Sequence, residues 1–519
     1  MRHLTFQRAF GLPSQESLRA LAIAFLSLGS FGHQLSAATR HSINIAFEDN
    51  VRSFDPRQSV DANSQYIEDL VHCSLMAFDT DGKAIPGALE ANPTWISPKV
   101  LEVQLRKDLK FSDGTTVRAE DVVATYNSLI HDRKFPRSSA FDGVERVEIL
   151  GSAANRIRFT LKKSDASFPT NLVVGILKES DVAAKSIDPA ALKGCGPYQI
   201  ASTGINEIVL TPNTFAPSPG KLETVTIKIV RNEKTRYAKL RAGELDIVQN
   251  GISRDTLRTL ERRNPNLKIL KRPSLKTTYV GFNMKDTLVS NPAIREAISL
   301  AINRQEIINV ILNGMAIPAS TILPPNSAYF SEKLPKETYD PALAQALLDK
   351  AGFVKKGDFR FEVSLKTTTD VTRISVAKAI ASQLKRVGIK VIVEPMEWGR
   401  FKLDIDQGRV QLWTLTWVGF KDPDIYRYAF ATENFPPNGA NRGWYSNPAL
   451  DILLEQGREK NDFSERKKIY DQIQELVAHD RPYIFLWHEE NFAVVTKALL
   501  DFDLYADGRY SSLQKSHFE

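Results

Sequence analysis

The sequence predicts an α/β protein of more than one lobe, and three observations carry that reading. Its 519 residues are too many for a single compact core. From about residue 276 onward, apolar spacing switches between the strand period and the helix period in the order strand, helix, helix, strand, helix. Residues 77–189 instead carry several short alternating strands, including Ile157, Phe159 and Leu161, and read as an inserted β-rich block.

Early positive charge at Arg2 and Arg8 precedes Arg19, an apolar run from Leu21 to Leu28, and the small residues Ser36-Ala37-Ala38. This is the pattern of an export signal over 1–38, cleaved near Ala38, and its apolar run is too short to span a bilayer. No cysteine stands near the cleavage point, which predicts a periplasmic protein without a lipid anchor. Ile43 to Phe47 then reads as a first strand, followed by the loop Ser53-Phe54-Asp55-Pro56 and a helix with Ile67, Leu70 and Val71 on one face.

In residues 101–129 an alternating strand (Leu101, Val103, Leu105) leads through a Ser112-Asp113-Gly114 turn into a helix opening near Ala119-Glu120-Asp121. The turn formers Gly194-Cys195-Gly196-Pro197-Tyr198 precede strands at 206–211 and 224–231, and a helix then carries Ala238, Leu240 and Leu245. Farther on, Asn291-Pro292 and Asp340-Pro341 each supply a cap and a preset first helical residue, and Asn303 with Glu306 forms a capping box. Ile374, Ala377, Ala381, Leu384 and Val387 keep helical spacing until Gly388 releases the strand Ile389 to Val393. Asn447-Pro448 and Ser464 start two further helices.

The net charge of +7 and the pI near 9.1 do not indicate nucleic acid, because Lys and Arg are interspersed with Asp and Glu. Even the densest basic piece, Arg258 to Arg272, lacks interleaved aromatics. Enzyme constellations are missing: there is no Gly-x-Ser-x-Gly elbow, phosphate-binding glycine loop or His-x-x-x-His pair. His488-Glu489-Glu490 is not followed by a second imidazole, so it reads as a satisfied histidine, and neither a metal nor a cofactor is expected. Cys73 and Cys195 are expected as two buried free thiols, with a disulfide between them as the alternative.

Several segments, in this order, resemble the extracellular solute-binding proteins that serve peptide and nickel ABC importers. They are Phe54-Asp55-Pro56, residues 101–129, Gly194 to Tyr198, Leu240 to Asp246, Tyr279 to Asn283, Ala297 to Ile308, Asp340 to Phe353, Trp417 to Asp424 and Ser464 to Leu476. The resemblance implies a two-lobed clamp of mixed sheets flanked by helices. One lobe would comprise 39–76, 190–275 and 490–519, with 77–189 inserted in it, and the other 276–489. It implies a monomeric receptor, not an enzyme, that captures a peptide or peptide-like solute and delivers it to an inner-membrane permease. The alternatives are a non-peptide solute of the same family (metal chelate, haem, oligosaccharide) and an exported hydrolase.

By resemblance the ligand-contacting residues are Phe54, Asp55, Asn63, Ser64 and Gln65 on one lobe. On the other they are Arg373, Trp413, Trp417, Phe420, Lys421 and Asp422. Trp413 and Trp417 lie four apart in an expected strand and share one face. Peptide-binding members carry an aspartate for the ligand's ammonium shortly after the tryptophan matched by Trp417, whereas here the first carboxylate is Asp422, beside Lys421. Either Asp422 takes that role, or the ligand lacks a free α-ammonium and offers an anion to Lys421; the second is the expectation.

Overall fold

The computed structural model describes residues 41–519 except 152–154, 184–187, 190 and 337, so the expected export signal lies outside the described residues. An eleven-stranded mixed sheet organises the chain. Its two longest strands, Leu267–Phe282 and Tyr483–Thr496, run antiparallel side by side. Leu267–Pro273 pairs with Glu490–Thr496 and Thr277–Gly281 with Tyr483–His488, and the register shifts between Pro273 and Thr277. Proline supplies no N–H to the ladder, so the break falls where the sequence weakens pairing.

Different strands join on either side of that break. Toward one edge Leu412–Val418, Phe361–Thr368 and Ile389–Met396 follow in space. Toward the other come Ile247–Gln249, Ser42–Phe47, Thr224–Ile229, Glu207–Pro212 and Tyr198–Thr203. Each half is covered on both faces. Ile298, Leu348, Ile380 and Leu384 pack on one side of the first half, and Tyr279, Trp413, Tyr470 and Tyr483 on the other. The second half lies between a cluster with Ile45, Leu70 and Val225 and one with Val248, Leu260 and Val494. A separate antiparallel sheet of Thr94–Ser97, Val100–Gln104, Arg156–Leu161 and Val144–Ile149 has its own core around Leu101, Tyr126 and Phe159. The expected α/β class with mixed sheets flanked by helices is therefore observed.

Helix starts follow the caps. Asn291, Asn303, Asp340 and Asn447 accept backbone N–H groups of the helices Pro292–Ala301, Arg304–Val310, Pro341–Lys350 and Pro448–Glu459. One start differs from expectation. The helix Phe463–Asp480 is capped by Asp462, which accepts from Glu465 N, and Ser464 lies inside its first turn. In the 101–129 run, Asp121 at the start of the helix Ala119–His131 accepts the N–H groups of Arg118 and Glu179, tying this helix to the segment that follows the small sheet.

The expectation of two free thiols is corrected: Cys73 and Cys195 form a disulfide, with Cα atoms 5.0 Å apart. The reason is local. The chain leaves the helix Ala62–Val71 toward the small sheet at Cys73 and returns past the same helix end at Gly194-Cys195-Gly196. There Gly196 N donates to Val71 O at 2.8 Å. A Cβ on Gly194 would lie 2.0 Å from Val71 O, so only glycine permits this approach. The bond closes the neck of the inserted block and spans 122 positions, a separation for which chain entropy predicts about 3–5 kcal/mol of stabilisation. Reduction, or Cys73→Ser with Cys195→Ser, should lower the unfolding free energy by about that amount. Thermal and denaturant unfolding with and without reductant measures it, and an unchanged midpoint would contradict the entropic account.

Candidate functional site

A cavity of about 550 Å³ lies at the register break of the two long strands. Leu412–Val418 pairs with Lys276–Phe282 so that Trp413, Leu415 and Trp417 share one face with Gly281, Tyr279 and Thr277. Thr414, Thr416, Thr278 and Lys276 belong to the opposite face, and they line the cavity. Asn250 closes one end, beyond Ile247–Gln249, and the first turn of the helix Val371–Arg386 closes the other. Asp370 caps that helix by accepting Arg373 N at 2.8 Å, which sets Arg373 on the wall.

The lining combines apolar bulk with both signs of charge. Ile252, Val376, Trp487 and Phe492 supply the apolar part. Among the described residues neither Lys276 nor Arg373 forms an ion pair, although both line the cavity. Glu489 and Glu490 are half-buried on the strand Tyr483–Thr496, and Thr278 Oγ1 reaches Glu489 Oε1 at 3.5 Å. Asp255 on the same wall is held by Asn313. This surface can take a solute that carries a carboxylate and an ammonium on an apolar frame.

Of the expected contact residues, only Arg373 lines this cavity. Trp413 is corrected to a core residue: it is fully buried in the Tyr279 and Tyr483 cluster, on the face away from the cavity. Trp417 shares that face, stacks on Tyr279 and meets Tyr428 edge-on. Phe54 packs on the core around Ile67. Asp55 is buried in a two-pronged pair with Arg57. Ser64 is fully buried, accepts the N–H groups of Arg52 and Ser53 and donates to Asp61. Asn63 donates to Asp49 O, so Asp55, Asn63 and Ser64 hold the loop itself.

Gln65, Phe420, Lys421 and Asp422 meet instead around a second cavity of about 440 Å³. Its charges are already partnered. Asp422 takes Arg466 through both oxygens, at 2.6 and 2.7 Å, with Arg466 almost fully buried. Lys421 Nζ lies 2.9 Å from Asp507 and 3.7 Å over the Phe78 ring. Arg509 binds Asp507 and Asp69, and Arg137 binds Glu68. Lys421 and Asp422 therefore line this cavity with protein partners in place, Asp507 for the one and Arg466 for the other. Burial, helped by neighbouring Arg509, brings the Lys421 ammonium down to about 8. Burial raises Asp69 to about 6 against the pull of Arg509.

The comparisons with known proteins now bear on this arrangement. Residues 85–436 match the model of the bacterial extracellular solute-binding proteins, family 5. The chain belongs to that family. This solute-binding protein is 26% identical over 520 residues to the glutathione-binding protein GsiB of Escherichia coli strain 536, covering 96% of this chain and 98% of the relative. Its fold matches NikZ from Campylobacter jejuni in complex with Ni(L-His) at 23% identity and TM-score 0.72, covering 92% of this chain and 99% of the other. It also matches the oligopeptide-binding protein AppA from Bacillus subtilis in complex with a nonapeptide, at 24% identity and TM-score 0.69, with 93% and 99% covered. The two-lobed fold class expected from the sequence is that of these structures.

Sequence reasoning missed Lys276, Thr278, Asn250 and Glu489. One signal was present: a polar stretch, His488 to Asn491, interrupts the apolar runs of the strand Tyr483–Thr496, and two carboxylates inside a buried run need a reason.

Two outcomes follow for the solute-binding protein. Asp422→Asn strands a buried guanidinium and should destabilise the fold by about 3–5 kcal/mol, and adding Arg466→Met should recover part of the loss. Denaturant unfolding of the single and double variants measures both. Because the folded pKa of Lys421, about 8, lies below its ordinary 10.5, the unfolded chain binds more protons between these values. Stability from this group is thus present above the upper value and lost as pH falls through the lower one. Unfolding free energies across that window should rise with pH, and Lys421→Met should flatten the rise.

Proposed function

We propose that the protein is a periplasmic receptor of an ABC importer that captures a peptide or peptide-like solute between two lobes and hands it, unchanged, to a membrane permease. The lobes are residues 39–76, 190–275 and 490–519 on one side and 276–489 on the other, with 77–189 inserted in the first. The protein acts as a monomer and binds no nucleic acid. Export is accompanied by removal of a signal near Ala38, and the Cys73–Cys195 disulfide fits an oxidising compartment.

The observation that carries this reading is the cavity at the joint, lined by Lys276, Arg373 and Glu489 together with Ile252, Val376, Trp487 and Phe492, where neither cation has an ion-pair partner among the described residues. A carboxylate would meet Arg373 and Lys276, and an ammonium would meet Glu489. A relative named for binding glutathione and a fold neighbour holding a nonapeptide support a peptide-like solute. A chelate built on amino acids, as in the neighbour with Ni(L-His), is the second reading. Among the described residues no group of three or more His, Cys, Asp and Glu side chains could hold a bare metal ion, so a metal would have to arrive chelated.

Calorimetry with glutathione, its N-acetylated form and nickel–histidine, each recovered and weighed by mass spectrometry, tests the proposal. A free peptide-like ligand should bind and return intact. Arg373→Met and Glu489→Gln should each cost about 2–5 kcal/mol, roughly thirty-fold to several-thousand-fold in affinity. Steady product formation, or binding indifferent to both variants, would contradict it.

A further inference from the structure

The positive charge of the chain is concentrated in one stretch. Residues 228–272 hold thirteen Lys and Arg against five Asp and Glu, an excess larger than the +7 of the whole chain, so the remaining residues sum to slightly below zero. The fold gathers this stretch on one face. The helices Glu233–Arg241 and Arg254–Arg263 pack through Tyr237, Leu240, Leu257 and Leu260 into the same cluster as Val248 and Val494. Glu233 ties their first turns together, accepting Ser253 N at 2.8 Å and Thr256 Oγ1 at 3.1 Å.

What this layer turns outward is basic. Lys234, Ala238 and Arg241 follow one another at helical spacing and are exposed, while Arg236 and Leu240 are buried. Arg262 and Arg263 are exposed in the last turn of the second helix. Lys271 is exposed on the strand face it shares with Leu267 and Ile269, which pack against the same cluster. The ion pairs of the stretch take Arg236, Lys239 and Arg272, and leave these five cations without one among the described residues. Its carboxylates are engaged within the fold: Glu244 pairs with Lys239, Asp255 accepts from Asn313, and buried Asp246 accepts Asn44 N.

Like charges gathered in this way attract an anionic surface. The buried centre of a protein–protein contact is apolar, yet among the described residues no exposed large apolar side chain falls within 228–272. Lipid headgroups need no such centre, and each basic side chain held near an anionic bilayer strengthens binding about fivefold. We propose that this face is a docking surface for an anionic lipid bilayer, which holds the protein by charge without insertion. It adds to the receptor role and needs no solute, so the two stand or fall separately.

The natively secreted protein is mixed with vesicles of phosphatidylcholine alone, or of phosphatidylcholine with phosphatidylglycerol, and the bound fraction is read by sedimentation. It should bind the anionic vesicles only. Raising salt from about 0.1 M to about 1 M, which shortens the screening length from about 10 Å to about 3 Å, should release it. Lys234→Gln, Arg241→Gln, Arg262→Gln and Arg263→Gln together should weaken binding by about a hundredfold or more. The control set Lys99→Gln, Lys107→Gln, Lys134→Gln and Lys163→Gln removes the same charge from exposed positions of the inserted block and should weaken it less than about tenfold. On the unsubstituted protein, anionic vesicles should slow labelling of Lys234 and Lys271 by an amine reagent, read by mass spectrometry, and leave Lys99 unchanged. No preference for anionic vesicles, an equal loss with the control set, or unchanged labelling of Lys234 and Lys271 would overturn the proposal. Labelling slowed by polyglutamate but not by vesicles would overturn it in favour of an acidic protein partner.

Discussion

The backbones Leu267–Phe282 and Tyr483–Thr496 hydrogen-bond along nearly their whole lengths, and every other strand of the large sheet attaches directly or indirectly to that ladder. Backbone pairing is obligatory for buried strands, so the ladder can break only where the sequence removes a donor or shifts the register. It breaks between Pro273 and Thr277. On one side the strands face the Ile298 and Trp413 clusters, and on the other the Ile45 and Val248 clusters. Each half thus has its own clusters of buried side chains, and a cavity of about 550 Å³ lies at the break.

That geometry explains the placement of charge. Several buried ionic groups are paired: Arg57 with Asp55, Arg466 with Asp422, and Arg509 with Asp507 and Asp69. Each such pair fixes a loop, since stranding either member leaves an uncompensated charge out of water. At the joint, by contrast, Lys276 and Arg373 line an open space beside Glu489 with no ion-pair partner among the described residues. Charges that the fold does not use internally are the ones a solute can use.

The sequence shows local features well and pairings across the chain poorly. Helix starts such as Asn291-Pro292 and Asp340-Pro341 were legible because a cap acts within three residues. That Trp413 and Trp417 share a strand face was legible from parity, but parity does not say which face meets the core, and the tryptophans took the buried one while Thr414 and Thr416 took the cavity. Asp422 and Arg466 are 44 positions apart, and Lys421 and Asp507 farther still, so nothing local announced that these site candidates were occupied. The disulfide was missed for the same reason: it depends on both strands of a neck passing one helix end, held close by Gly194 and Gly196. Family motifs gave the fold, yet the residues lining the joint had to be seen in space.

The central claim is that the joint cavity binds a solute bearing both a carboxylate and an ammonium on a partly apolar frame. Denaturing the natively secreted protein and identifying the small molecule it releases by mass spectrometry tests this most directly. The account predicts a stoichiometric peptide or peptide-like compound with both charged groups, absent from protein carrying Arg373→Met and Glu489→Gln. Recovery of an uncharged sugar or a haem, or of the same compound in equal amount from that variant, would contradict it.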